Sequence, residues 1–480
     1  MRRWRFGGVV SRTVHRSGLM WSVLAAVIGG LAIAGLTWWG LWHFLGVTAE
    51  TPNRLDLGKV ALAVTAGVGG AVALVVAYRR QRDSERGRFA DVFGAAARQL
   101  GDPDVAVRLA GVYAMAGVAD EFSSRWRRQQ CVDVLCGYLR LPYHPEEGNS
   151  HLVSKTQRIE DHGTAVERVF NYRQNDRQVR DTIVRVIAEH LRRTAETSWS
   201  ACDFDFSDAV FEDVDFRHAI FAGRTVRFTN TQFLSGRTVS FEGARFLGGE
   251  VTFQGAMFRT PASFDRAVFA HTAADKSDRV GARTVFTEAT FGGGVSFEGA
   301  RFQGARTAFD RTTFAGERAS FANAEFAAVL TSFERAVFDG ERVTFTGAEF
   351  TGARVTFADS RFYTESSSFD CAQLGAQVRW RTGRTQEVSF ARAEYHGRVS
   401  FADAVFSGRS VSFTNGDFFG DISFRRAAFD ARAVSFERPR AWVGVHFDWD
   451  ASPNTKPANI TPTMWPPVLA ESETVKDPAA

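Results

Sequence analysis

The chain has 480 residues and a formal net charge of +4, from 58 basic and 54 acidic side chains. That near balance argues against a partner held by electrostatics alone, such as nucleic acid, and the length leaves room for two or three domains. The cysteines, Cys131, Cys136, Cys202 and Cys371, show neither metal-ligand spacing nor a disulfide framework, which fits a reducing cytoplasm.

Residues 1–18 are basic, through Arg2, Arg3, Arg5, Arg12 and Arg16. Leu19–Leu45 then holds no charged residue other than a histidine, and Val60–Ala77 has only Thr65 among its polar side chains. Each run is long enough to span a bilayer as a helix, so the sequence predicts a two-helix transmembrane hairpin, 19–45 and 60–78. Arg79, Arg80, Arg82, Arg86 and Arg88 follow it, whereas the intervening Thr48–Lys59 carries only Arg54 and Lys59. The asymmetry places both termini in the cytoplasm of a multi-pass protein of the cell membrane, with the lipid bilayer as a partner. Small residues at four-residue spacing, Ala26, Gly30, Ala34 and Ala63, Gly67, Ala71, either close the hairpin or bring protomers together as a homo-oligomer.

Residues 79–198 read as a small α-helical domain that connects the hairpin to the repeats beyond it. Ser84–Leu100, Asp102–Phe122, Trp126–Leu141 and Gln178–Thr194 have helical apolar spacing, with Asp102 and Pro103 stopping one helix and starting the next. Pro142–His162 reads as a loop. The stretch Asp-Pro-Asp-x-x-Val-Arg-x-x-Ala at 102–110 resembles a HEAT-type repeat. The connector either binds a partner or spaces and caps the domain after it.

From about Phe204 to Phe436 phenylalanine recurs at spacings alternating between five and seven, and 38 of the 44 phenylalanines follow residue 200. The cleanest run is Phe297, Phe302, Phe309, Phe314, Phe321, Phe326, Phe333, Phe338, Phe345, Phe350 and Phe357. Two residues before most of them stands Ala or Val, with Ser, Thr, Arg or Glu between. Apolar residues at i−2 and i have the period of a strand, and units this short must stack to bury anything. Ser332, between two such positions, is expected to face solvent. The four centres Phe206, Phe211, Phe216 and Phe221 keep strict five-residue spacing, and here the chain resembles the pentapeptide-repeat family. That resemblance implies a right-handed quadrilateral β-helix over 199–450. With two residues added at every second corner a coil takes 24 residues, giving about ten coils, roughly 48 Å long at ~4.8 Å per strand. Trp442–Trp449 is expected to close the last coil, and 451–480, rich in proline, to be a disordered tail. The arginine bias, with lysine at five positions only, points to a GC-rich bacterial genome.

No phosphate loop, zinc-binding His pair or nucleophile elbow occurs, and no cofactor or metal is expected. The ladder breaks at Ala270–Thr284 and again at Leu374–Phe390, where Arg379, Trp380, Arg381 and Arg384 are the candidate partner contact. Trp380 has a second reading as an interior residue replacing Phe. The functional expectation is a non-enzymatic, membrane-tethered scaffold presenting a rigid rod to an unidentified protein partner. The alternative, from the family resemblance, is a DNA mimic that binds gyrase. It requires an acidic surface, and 201–450 is near balance, with 29 basic and 32 acidic residues.

Overall fold

The computed structural model describes residues 53–145, 154–161, 164–171, 175–234, 239–270, 282–375 and 386–470, with scattered helical positions between 28 and 43. The chain divides into two units, Met1–Val92 and Phe93–Ala480.

The transmembrane hairpin is overturned: among the described residues no helix is long and apolar enough to cross a membrane. Most of the first expected span, 19–45, lies outside the described residues. The second, 60–78, is part of α1 (Asn53–Leu100), a helix of 48 residues. No breaker separates the apolar run from Arg79, Arg80, Arg82, Asp83, Glu85, Arg86 and Arg88, so apolar and charged segments join in one element. The multi-pass placement at the cell membrane falls with the hairpin. The segment expected as an outer loop is helical from Asn53, and the helix expected to begin at Ser84 begins far upstream.

In the second unit, α2 (Val105–Glu121), α3 (Arg125–Leu139) and α4 (Asp176–Leu191) form the helical domain. Asp104 caps α2, its carboxylate accepting the Ala106 N–H at 2.8 Å. The shared core buries Val112, Met115, Ala119, Val132, Leu135, Leu139, Val179, Ile183 and Ile187. Cys131 and Cys136 lie in it too, and burial pushes the Cys131 thiol up to about 12 and that of Cys136 higher still. The expected loop at 142–162 is corrected in part. It contains β1 (Ser154–Asp161), antiparallel to β2 (Thr164–Asn171), with Ile159 opposite Val166. Alternation there is hidden by charged residues on both faces.

From Phe204 the chain winds into four parallel sheets of eleven, ten, nine and nine strands. They are designated face 1 (from Phe204–Asp205), face 2 (from Val210–Phe211), face 3 (from Val239–Ser240) and face 4 (from Ile220–Phe221). Each strand pairs in register with its equivalents one coil away. Thus Ser332 on face 1 pairs with Ala308 and Thr356, and Thr344 on face 3 pairs with Ser320 and Ser368.

The two corner types follow from the five and seven spacings. After a Phe of face 1 or 3 the chain turns in four residues, as where the Ala336 N–H donates to Phe333 O at 3.0 Å. The third residue is left-handed, Arg335 at φ 57, and its N–H donates to Ala358 O of the next coil at 3.0 Å. Where Asn230 and Asn323 hold this position, the next coil has Gly255 and Gly347, because a Cβ there would lie 2.5 and 2.6 Å from the Asn Oδ1. At the longer corners backbone stacks on backbone, and a Cβ on Gly340 would sit 1.9 Å from Gly316 O.

A Ser or Thr before many of the face 1 and face 3 phenylalanines closes the turn. Its Oγ accepts the N–H two residues on, at 3.4 Å from Glu334 to Ser332 and 3.2 Å from Thr346 to Thr344. The expectation for Ser332 is therefore corrected: it is 2% exposed, and its hydroxyl also donates to the Asp310 carboxylate.

Inside, the rings form columns. On face 1 Phe286, Phe309, Phe333 and Phe357 stack with centroids 4.8, 4.7 and 4.7 Å apart. Face 3 places Phe321 edge-on to both Phe309 and Phe333, at 5.6 Å each. Face 2 admits Tyr395, whose buried hydroxyl has no partner, and face 4 is interrupted by Leu374. Thr307 and Thr331 point into the same interior where most coils have Val, and their hydroxyls are also unpartnered.

Both ends are closed. At the first coil the Gln129 amide donates to Asp203 O at 2.7 Å and accepts the Asp203 N–H at 2.8 Å, pairing with the edge strand as a peptide would. At the other end the expected disordered tail is built as far as residue 470. Ile460–Thr461 adds a strand beside Val434–Ser435, and Trp465 sits on Phe436, Trp442, Phe447 and Trp449 at 5.1–6.0 Å. The open end needs an apolar plug, and the proline-rich segment carries it.

Phe333→Ala is expected to cost about 3–5 kcal/mol, from transfer energy plus a cavity. Ser332→Ala should cost about 1 kcal/mol, since it removes a turn acceptor. Thr331→Val should leave stability equal or raise it by about 1 kcal/mol, since an unpartnered buried hydroxyl goes. Midpoints of equilibrium unfolding rank the three, and a Ser332→Ala cost equal to that of Phe333→Ala would contradict the assignment.

Candidate interaction surface

The outer surface of the solenoid is set by columns, because each outward position repeats one coil further along. The left-handed corner after face 1 carries Glu288, Arg311, Arg335, Asp359 and Arg392 on successive coils. Arg311 meets Glu288 at 2.7 Å, and Arg392 grips Asp359 with Nε and Nη2, both at 2.7 Å. After face 3, Arg426 holds Asp403 in the same forked way, at 2.8 and 2.7 Å. Arg354 meets Glu387 at 3.1 Å and Arg440 grips Asp417. The Arg hydrogen bonds hold the Asp359 and Asp403 carboxyls below their ordinary range. Charge is thus matched along the rod, and the pairs break up any continuous acidic face.

Against this polar background one column is apolar. The residue following each face 2 centre lies at the corner, and in successive coils it is Ala315, Asp339, Tyr363, His396, Phe419 and Val443. Tyr363, Phe419 and Val443 are 43%, 51% and 58% exposed. The His396 ring lies 4.8 Å from that of Tyr363 and 5.0 Å from that of Phe419, so three rings stand in line on the outside. The Tyr363 hydroxyl donates to Glu394 at 3.1 Å, and Arg361 meets the same carboxylate at 3.3 Å. This row was missed in the sequence, where it emerges only when coils, rather than single repeats, are aligned.

The ladder residues Phe297, Phe302, Phe309, Phe314, Phe321, Phe326, Phe333, Phe338, Phe345, Phe350 and Phe357 are all buried and line the interior. Arg379, Trp380, Arg381 and Arg384 lie outside the described residues, as does most of the other break, 271–281. The flanks of both breaks are described. The chain leaves after Ala270 and Gly375 and returns at Ala282 and Gln386, in each case at the corner from face 4 to face 1. The strands that follow, Arg283–Val285 and Glu387–Ser389, are four steps apart in face 1, roughly 19 Å. Among the described residues no group of His, Cys, Asp or Glu is placed to hold a metal ion.

A family model described as pentapeptide repeats (9 copies) matches residues 206–257. No curated protein and no solved structure matches the chain. The match speaks to the repeats and not to the bacterial origin read from the arginine bias.

Carboxylates with lowered pKa favour the fold fully above their ordinary value near 4, and that contribution is lost as pH falls below it. Asp205 and Asp215 of the first coil, and Asp359 and Asp403, are all held low by hydrogen bonds or by arginine. Thermal unfolding midpoints of the solenoid should therefore fall as pH drops below about 4. A midpoint that rose between pH 4 and 3 would contradict the pairing.

Proposed function

We propose that this pentapeptide-repeat β-solenoid is a non-enzymatic scaffold that presents a rigid rod to a protein partner. The observation that carries the reading is the row Tyr363, His396, Phe419 and Val443, three exposed apolar side chains and a half-buried imidazole held in register at one corner. Rings fixed by the backbone ladder lose little further freedom on docking, and aromatic side chains dominate interface energetics. A second contact is proposed at Arg379, Arg381 and Arg384 with Trp380, in the later of the two breaks at the corner from face 4 to face 1. Trp380 serves there as an anchor or, in its other reading, belongs to the interior and leaves the arginines as the contact. Neither contact needs a bilayer. DNA mimicry is disfavoured by the same surface, since its carboxylates are taken up by arginines along the axis.

Affinity capture from cells with the full chain tests the reading. Tyr363→Glu with Phe419→Glu is one variant, and Arg379, Arg381 and Arg384 all changed to Glu is the other. The first should keep the far-ultraviolet spectrum and unfolding midpoint, because Tyr363 and Phe419 lie outside the core. The first variant is expected to lose at least one co-purifying protein by tenfold or more, as loss of ~1.4 kcal/mol at an interface implies. An unchanged set with both variants removes the two contacts, and an empty set with the wild type removes the scaffold.

A further inference from the structure

The helical domain meets the first coil through a cluster of acids with one arginine between them. Arg177, in the first turn of α4, places Nη1 3.5 Å from Glu212 Oε2 and Nε 3.6 Å from Asp181 Oδ2. Glu212 belongs to the first coil, and its side chain is only 5% exposed. The other Glu212 oxygen accepts from the Tyr143 hydroxyl, on the segment after α3. The remaining groups facing the cluster are already engaged. Arg180 lies over the Tyr143 ring at 4.3 Å, bonds Asp176 at 2.7 Å, and donates to Leu139 O and Leu141 O at 2.8 Å each. Tyr138 of α3 donates to Asp176 at 2.5 Å, and Arg185, one turn beyond Asp181, donates to the Tyr113 hydroxyl of α2 at 3.0 Å. Asp213, next in the coil after Glu212, adds a third carboxylate. Asp181 of α4 and Glu212 of the coil therefore share Arg177 as their cation.

We propose that this junction is a proton-sensitive clamp, in which one proton taken up by Asp181, across Arg177 from Glu212, tightens α4 on the first coil. Released at neutral pH, the proton leaves two carboxylates competing for one guanidinium, and the helical domain loosens from the end of the rod. Loosening uncovers the edge strand at Asp203, which Gln129 otherwise occupies. Burial raises the Asp181 carboxyl from 3.8 to about 6, opposed by Arg177 and assisted by Glu212 and Asp213. A carboxyl raised in the folded state favours unfolding once ionised, so the docked form gains as pH falls from above 6 towards 4. The Asp181 side chain is 41% exposed, and solvent screening keeps the gain to about three- to tenfold in the opening equilibrium.

Hydrogen exchange of the full chain, compared at pH 7.5 and pH 5.0 after correction for intrinsic exchange, reads this directly. Peptides from α4 and residues 203–215 are expected to gain about three- to tenfold protection at the lower pH, while those around Phe321–Phe345 do not change. Asp181→Asn should show the higher protection at both pH values and abolish the difference. Arg177→Gln should shift the transition to higher pH. His190, in the last turn of α4, meets Asp120 at 3.0 Å and stacks on Trp199 at 4.0 Å, away from the Arg177 cluster. His190→Gln should leave the pH difference intact. A wild type with no difference, an Asp181→Asn chain that keeps it, or a His190→Gln chain that loses it would each overturn the clamp.

Discussion

One repeat distance governs the solenoid: the separation of hydrogen-bonded parallel strands is also the separation at which phenyl rings stack. The face 1 rings sit 4.7–4.9 Å apart over most of the rod, close to the ~4.8 Å that peptide hydrogen bonds impose. Backbone and side-chain order are therefore the same order. Rings that stack face to face have unfavourable quadrupoles, and the structure offsets this by turning the adjoining ladder edge-on, as with Phe333 and Phe345 at 5.6 Å and 88°. A substituent that changes the spacing has to be absorbed locally. Tyr395 is taken into its column at 5.4 and 5.2 Å, within the range that the phenylalanines of that face show.

The same constraint explains the surface. Because outward positions also repeat once per coil, a like-charged column carries a cost, and Arg311–Glu288, Arg354–Glu387 and Arg392–Asp359 set opposite charges on neighbouring coils. Each such exposed pair is worth little singly, but together they offset repulsion between like charges on neighbouring coils. An apolar column faces no such restriction. Tyr363, His396 and Phe419 stack outside much as the ladder stacks inside, with solvent on one flank in place of protein.

Much of the solenoid was legible because phenylalanine is large and rarely placed at fixed intervals by anything but burial. The five and seven spacings are the two corner types, and Gly316 and Gly340 mark the longer one. The features that were not legible depended on the neighbours of a segment. The run at 60–78 looks spanning in isolation, but α1 carries it onward into arginine. The hairpin of Ser154–Asn171 has no clean alternation, and the closing strand Ile460–Thr461 is set among prolines. Ser332 was misplaced because period two assigns a side but not a hydrogen bond. The exposed row needed coil-by-coil alignment, which the irregular corner between faces 2 and 3 disguises.

The pairing of Gln129 with Asp203 has a further consequence for how the molecule is made. A side-chain amide that imitates a peptide gives the first coil something to wind against before any second coil exists. The helical domain precedes the solenoid in the chain, so this template is complete when Asp203 leaves the ribosome. Every coil offers its successor an edge, so the structure permits winding coil by coil in the direction of synthesis. Trp465 arrives last. A chain truncated before it ends as a growing tip, with its newest edge and its phenylalanines open to whatever strand is nearest.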